Sequence, residues 1–161
     1  MPSSILMPSS ILMPSSMFNP AVRARFQERI RSLGPGAQRR WGRMTSSQMV
    51  CHLIDQLRIA LGEMPTQPVS GVVRYPPFKQ LVINVLPWPK GRIQGPPEAF
   101  TTVSSEWEKD LTRLRQLLEE FGGRESQTEW ASHPMFGRMS GRLWSQLTCR
   151  HFDHHLTQFG A

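Results

Sequence analysis

Between residues 99 and 121 the apolar side chains Phe100, Val103, Trp107, Leu111, Leu114, Leu118 and Phe121 step by three and four, with charged residues at the positions between them. Successive helical residues lie about 100° apart, so that stepping draws one apolar stripe along one helix. A stripe of this length needs other helices to cover it, and the chain supplies them. Val22, Phe26, Ile30 and Leu33 repeat the pattern behind an N-cap at Asn19 and a proline at the first helical position, and Gly34-Pro35-Gly36 stops it. Thr45 and Gln48 are spaced as a capping box, opening a helix to about residue 61. Residues 78–86 are apolar at Phe78, Leu81, Val82, Val85 and Leu86, a short helix ended by Pro87, and Ser140 is placed to cap a final helix. No segment shows convincing strand alternation. The expected fold is all-α: a four-helix bundle with an extra short helix and long connections at 63–77 and 87–97, rich in the chain's fourteen prolines.

A chain of 161 residues has room for one core, assigned to residues 18–161. Residues 1–17 repeat Met-Pro-Ser-Ser-Ile-Leu, with a proline in each unit to interrupt any helix, and are expected to be a disordered tail. A methionine opens every unit, so Met1, Met13 and Met17 all stand as candidate translation starts. No apolar run is long enough to span a membrane, no signal-peptide pattern is visible, and Cys51 and Cys149 suit reduced thiols. A cytoplasmic protein is expected.

The formal net charge is +7, and most of the excess is local: seven arginines against the single acid Glu28 between Arg23 and Arg43. Such a stretch attracts nucleic acid or a small anion. No nucleic-acid motif accompanies it, which favours an arginine-rich solvated surface and disfavours nucleic acid as a partner.

Three of the five histidines fall between residues 151 and 155. His151 and His155 are one turn apart on one face, continuing the inward stripe of Trp144, Leu147 and Thr148, and Gln158 follows on the same face. His52 shares a face with Met49, Leu53 and Gln56, which turns it toward the core. Bundles build metal sites from such inward side chains, and three neutral imidazoles leave a coordination position open on Zn²⁺, Ni²⁺ or Fe²⁺. The alternative is a set of hydrogen-bonded or helix-capping histidines. Helical angles turn Cys51, Cys149, Asp153 and His154 away from the site. Asp55, one turn from His52, is placed to accept that ring's second proton, or is a surface carboxylate. His133, before Pro134, lines the pocket mouth or stabilises its turn.

The stretch from Trp41 through the capping box to His52-Leu53, the turn His133-Pro134-Met135-Phe136-Gly137, and the ending from His151 to Gly160 resemble the DinB/YfiT-like superfamily, and within it a subgroup of unknown function. The resemblance covers the chain from about residue 18 onward. It implies a four-helix bundle holding a metal through one histidine of the second helix and two of the last, positions matched by His52, His151 and His155; Gln158 also fits. Superfamily members include thiol-dependent transferases and isomerases, which implies a low-molecular-weight thiol as cosubstrate. The expected function is therefore a divalent-metal-dependent transferase or hydrolase that activates a thiol or water for a small-molecule substrate, with a homodimer allowed. A non-catalytic metal-binding or stress-related interaction bundle is the alternative, and a basic nucleic-acid-binding module the third choice.

Overall fold

The computed structural model describes residues 15–91 and 95–161. Five α-helices follow in order: α1 Pro20–Arg31, α2 Ser46–Ala60, α3 Phe78–Asn84, α4 Trp107–Gly122 and α5 Gly141–Gln158. Short 3-10 turns at Val72–Arg74 and Pro97–Phe100 punctuate the two long connections. Among the described residues the only β pairing is an isolated bridge between His133 and Gly137, so the chain is all-α. Among the described residues no helix is long and apolar enough to cross a membrane.

Local chemistry sets the helix starts. Asn19 accepts the Ala21 amide, Ser140 accepts the Leu143 amide, and the capping box is complete, with Thr45 Oγ1 taking the Gln48 amide at 3.2 Å and Gln48 Oε1 taking that of Thr45 at 2.9 Å. Helix α2 is buried around nearly its whole circumference and is the centre of the molecule. It packs on α4 and α5, and α1 packs on the same two helices from the other side; α3 rests on α5.

Three expectations are corrected. The helix expected over 99–121 begins only at Trp107, and Phe100 and Val103 are 46% and 85% exposed instead of lying in the core. The cause is Asp55 on α2, whose carboxylate takes the amides of Thr101 and Thr102 at 2.8 Å each and fixes a turn where a helix would otherwise continue. On α3 the expected stripe faces outward: Phe78, Leu81, Val85 and Leu86 are exposed, while Ile83 and the stem of Lys79 point in. Lys79 can do so because its ammonium reaches the Arg138 carbonyl at 2.8 Å. Finally, the tail does not extend to residue 17. Met17 is fully buried, and its amide donates to Ser145 Oγ at 2.6 Å. The repeat over residues 1–14, with candidate starts Met1 and Met13, lies outside the described residues.

Part of the basic stretch has structural partners. Arg23 holds the carbonyls of Met17 and Phe18 and the carboxylate of Glu119. Arg29 binds Asp153, Thr157 Oγ1 and the Ala161 carbonyl, clasping the C-terminal end of α5.

Candidate metal centre

Helix α2 contributes His52 and α5 contributes His151 and His155, and the three rings meet with centroids 4.6–4.8 Å apart. Among the described residues they form the group able to share one ion, each offering a nitrogen within 4.8 Å of the others. His151 Nε2 lies 2.9 Å from His52 Nε2 and 3.1 Å from His155 Nε2. Two nitrogens bound to one ion at about 2.0–2.1 Å, at roughly right-angled to tetrahedral angles, are themselves about 3 Å apart, so the spacing fits a shared ion.

The outer nitrogens decide the tautomers. His52 Nδ1 lies 2.8 Å from the Ala99 carbonyl, which can only accept, so Nδ1 carries the proton and Nε2 presents a lone pair. His155 Nδ1 lies 2.8 Å from Gln158 Oε1. The Gln158 amide cannot turn around, because its nitrogen donates to the Trp41 carbonyl at 2.7 Å. His155 therefore also donates through Nδ1 and offers its Nε2 lone pair inward. His151 can answer one of those lone pairs with a proton and not both, and its own buried Nδ1 has no partner among the described residues. A cation resolves the conflict by accepting all three Nε2 lone pairs.

Protonation is suitable too. Burial holds His52 below the ordinary imidazole value, although the Ala99 bond and Asp55 pull the other way. Burial, and then the neighbouring His155 and His52, hold His151 well below it. Burial, and then His52, push His155 down to about 3. All three are neutral near pH 7, the form in which an imidazole can bind a cation. The cysteines stand apart: burial raises Cys51 to about 11 and Cys149 to about 12, leaving both as protonated thiols.

Asp55 does not take the second proton of His52, nor is it a surface group. It is completely buried and holds the 101–102 turn, which in turn presents the Ala99 carbonyl to His52. His133 stands in its own turn, packed on Phe136 and Trp144, with Nδ1 accepting the amides of Met135 and Phe136 at 3.1 and 3.2 Å. Burial, followed by the charge of Arg74, pushes its pKa to about 3. That ring is a turn-former. Asp153 is exposed and paired with Arg29.

Residues 19–161 match a family described as a protein of unknown function, DUF1569. The chain belongs to the DUF1569 family. No curated protein and no solved structure matches it. In this DUF1569 protein several groups around the histidines escape sequence patterns, because they act through backbone atoms: the Ala99 and Trp41 carbonyls, and Gly42. Gly42 has φ +81°, and a Cβ there would lie 2.5 Å from Gln158 Nε2, so this glycine lets Gln158 reach Trp41. The run Thr-Thr-Val-Ser-Ser at 101–105, poor in helix formers, was the available sign that α4 starts late. A cleft of about 740 Å³ runs along α5 past Arg25 and Phe26; Trp88 and His154 line it, and none of the three clustered histidines does.

Gln158→Leu tests the tautomer relay. It removes the acceptor for His155 Nδ1 and the donor to Trp41, and should weaken metal binding by about 10- to 100-fold, read by competition with a chromophoric chelator. Unchanged affinity would show that Gln158 does not set the ring.

Proposed function

We propose that this chain is a divalent-metal-dependent enzyme of the DinB/YfiT-like kind, holding Zn²⁺, Ni²⁺ or Fe²⁺ through His52, His151 and His155 and acting on a small molecule by transfer or hydrolysis. The observation that carries the proposal is the convergence of three neutral imidazole Nε2 atoms whose outer nitrogens are tied down at His52 and His155. A four-helix bundle is part of the proposal, supported by the mutual packing of α1 and α2 on α4 and α5.

A bound divalent ion with an open position lowers the pKa of a coordinated thiol or water and so supplies a nucleophile near neutral pH. The chain's own groups do the rest. The Ala99 carbonyl and Gln158 hold two rings in register, and burial keeps all three unprotonated. The ligand set contains neither thiolate nor carboxylate, which leaves the charge of the ion uncancelled by its ligands and its acidity toward a bound thiol or water high. A low-molecular-weight thiol fits such a centre as cosubstrate, since the chain's two cysteines are buried and protonated.

Protein purified without a histidine tag should carry close to one equivalent of a transition metal by elemental analysis. His52→Ala should lose most of it while retaining helical circular dichroism. Wild-type protein that takes up no Zn²⁺, Ni²⁺ or Fe²⁺, or full occupancy in His52→Ala, would overturn the proposal.

A further inference from the structure

Three aromatic side chains from two connections border the histidines, Trp41 between α1 and α2 and Trp88 and Phe100 between α3 and α4. Phe100 stacks on His52 at 4.7 Å and is 46% exposed. Trp88 lies 6.1 Å from His151 and 5.9 Å from His154, and Trp41 lies 5.7 Å from His154. Each tryptophan carries a cation on its ring: Lys90 Nζ sits 4.6 Å from the centroid of Trp41, and the Arg150 guanidinium 5.1 Å from that of Trp88. Arg150 also donates to the carbonyls of Ile83 and Leu86, which fixes Trp88 beside the cluster.

Two nitrogens in this surround are buried with no hydrogen-bond partner among the described residues, Trp41 Nε1 and His151 Nδ1. The indole nitrogen can only donate, and His151 Nδ1 also carries a proton whenever its Nε2 is a ligand. Buried N–H groups are nearly always paired in native proteins, so an unpaired couple beside a candidate reactive centre indicates an acceptor that binds from outside. Local charge gives that acceptor its sign. Lys90 and Arg150 are positive; of the nearby acids, Asp153 is paired with Arg29, and Glu98 directs one oxygen to the Gln67 amide while its other oxygen is buried without a partner among the described residues.

We propose that the space bordered by Trp41, Trp88 and Phe100 is a binding site for a small organic anion with a flat apolar body, an aromatic carboxylate in its simplest form, whose anionic oxygens take the Trp41 N–H and lie beside Lys90. This deepens the proposed metal centre by giving it a substrate class, and it rests on that centre only for the His151 donor, since the Trp41 donor needs no metal. Aromatic faces suit a planar body, and a charge-assisted hydrogen bond in a partly desolvated site separates an anion from its neutral isostere.

The probe is benzoate, with benzamide as its uncharged counterpart, titrated by calorimetry into metal-loaded and metal-free protein. Benzoate should bind both forms and bind at least about tenfold more tightly than benzamide. Trp41→Phe, which keeps a ring and removes the N–H, should weaken benzoate by about five- to tenfold with metal content unchanged. Lys90→Gln, at an exposed position, should weaken it similarly and flatten its salt dependence. Equal affinity for benzoate and benzamide, no saturable benzoate binding, or unchanged benzoate affinity in both variants would overturn this proposal. Elemental analysis of the same samples separates the two questions: metal retained without anion selectivity defeats the anion site alone, and anion selectivity in a protein that takes up no metal when loaded defeats the metal centre alone.

Discussion

Asp55→Ala is expected to lower the free energy of unfolding by about 3 kcal/mol, the scale for removing a buried charged acceptor that satisfies several donors. The carboxylate is completely buried. One oxygen takes the Thr101 and Thr102 amides at 2.8 Å and the Thr101 hydroxyl at 3.3 Å, the other takes the Thr102 hydroxyl, and Arg58 stands 3.6 Å away. Alanine strands two backbone amides and releases the turn that carries the Ala99 carbonyl. The loss should therefore also appear at the metal centre, as weaker ion binding, because His52 loses the partner that fixes its tautomer. Asp55→Asn keeps one acceptor oxygen and should fall between wild type and alanine. Urea denaturation of metal-free protein reads the stability effect, and chelator competition reads the second. A loss under about 1 kcal/mol would mean that the 101–102 turn holds itself without the carboxylate.

The same carboxylate explains why some of the fold was legible in the sequence and some was not. Asn19, Thr45 and Ser140 act on amides two or three residues away, so their caps can be read from neighbours alone. The helical period likewise places His151 and His155 on one face and turns His52 inward. Asp55 acts on amides 46 and 47 residues away, and no local pattern between 99 and 106 records that a distant acid will take them. An apolar stripe with helical spacing therefore stayed plausible up to Phe100 while its first turns were committed elsewhere. On α3, the two-turn helix packs on α5 and on the 3-10 turn at Val72–Arg74, and its inward residues are those with a partner there or in the adjoining turn: Ile83 in the core and Lys79 on the Arg138 carbonyl. Hydrophobicity alone ranks Lys79 last, yet a long apolar stem with a satisfied head packs well. Gln158 combines the two cases. Its face is set by period, but its role depends on the Trp41 carbonyl, 117 residues earlier, and on Gly42 leaving room for it.

His151→Leu is expected to cost stability with metal and little without it. Without an ion, His151 Nε2 faces two nitrogens, at 2.9 and 3.1 Å, that both present lone pairs, and its buried Nδ1 has no partner among the described residues. A leucine of similar size removes the unpaired Nδ1 but leaves both facing lone pairs without a donor, so the metal-free variant should lie within about 1 kcal/mol of metal-free wild type. With the ion at about 1,000 times its Kd, wild type should gain about 4 kcal/mol through binding to the native state alone. The variant, with two ligands left, should gain little. The two urea curves should therefore nearly coincide in chelator and separate in metal, wild type above variant. A variant less stable than wild type by more than about 2 kcal/mol in chelator would mean that the three imidazoles satisfy one another without an ion, and the cluster would then be a hydrogen-bonded core element. Near-coincidence in chelator with a gap in metal would show instead that these histidines are in conflict until a cation joins them, which is how a buried site kept for binding differs from one kept for packing.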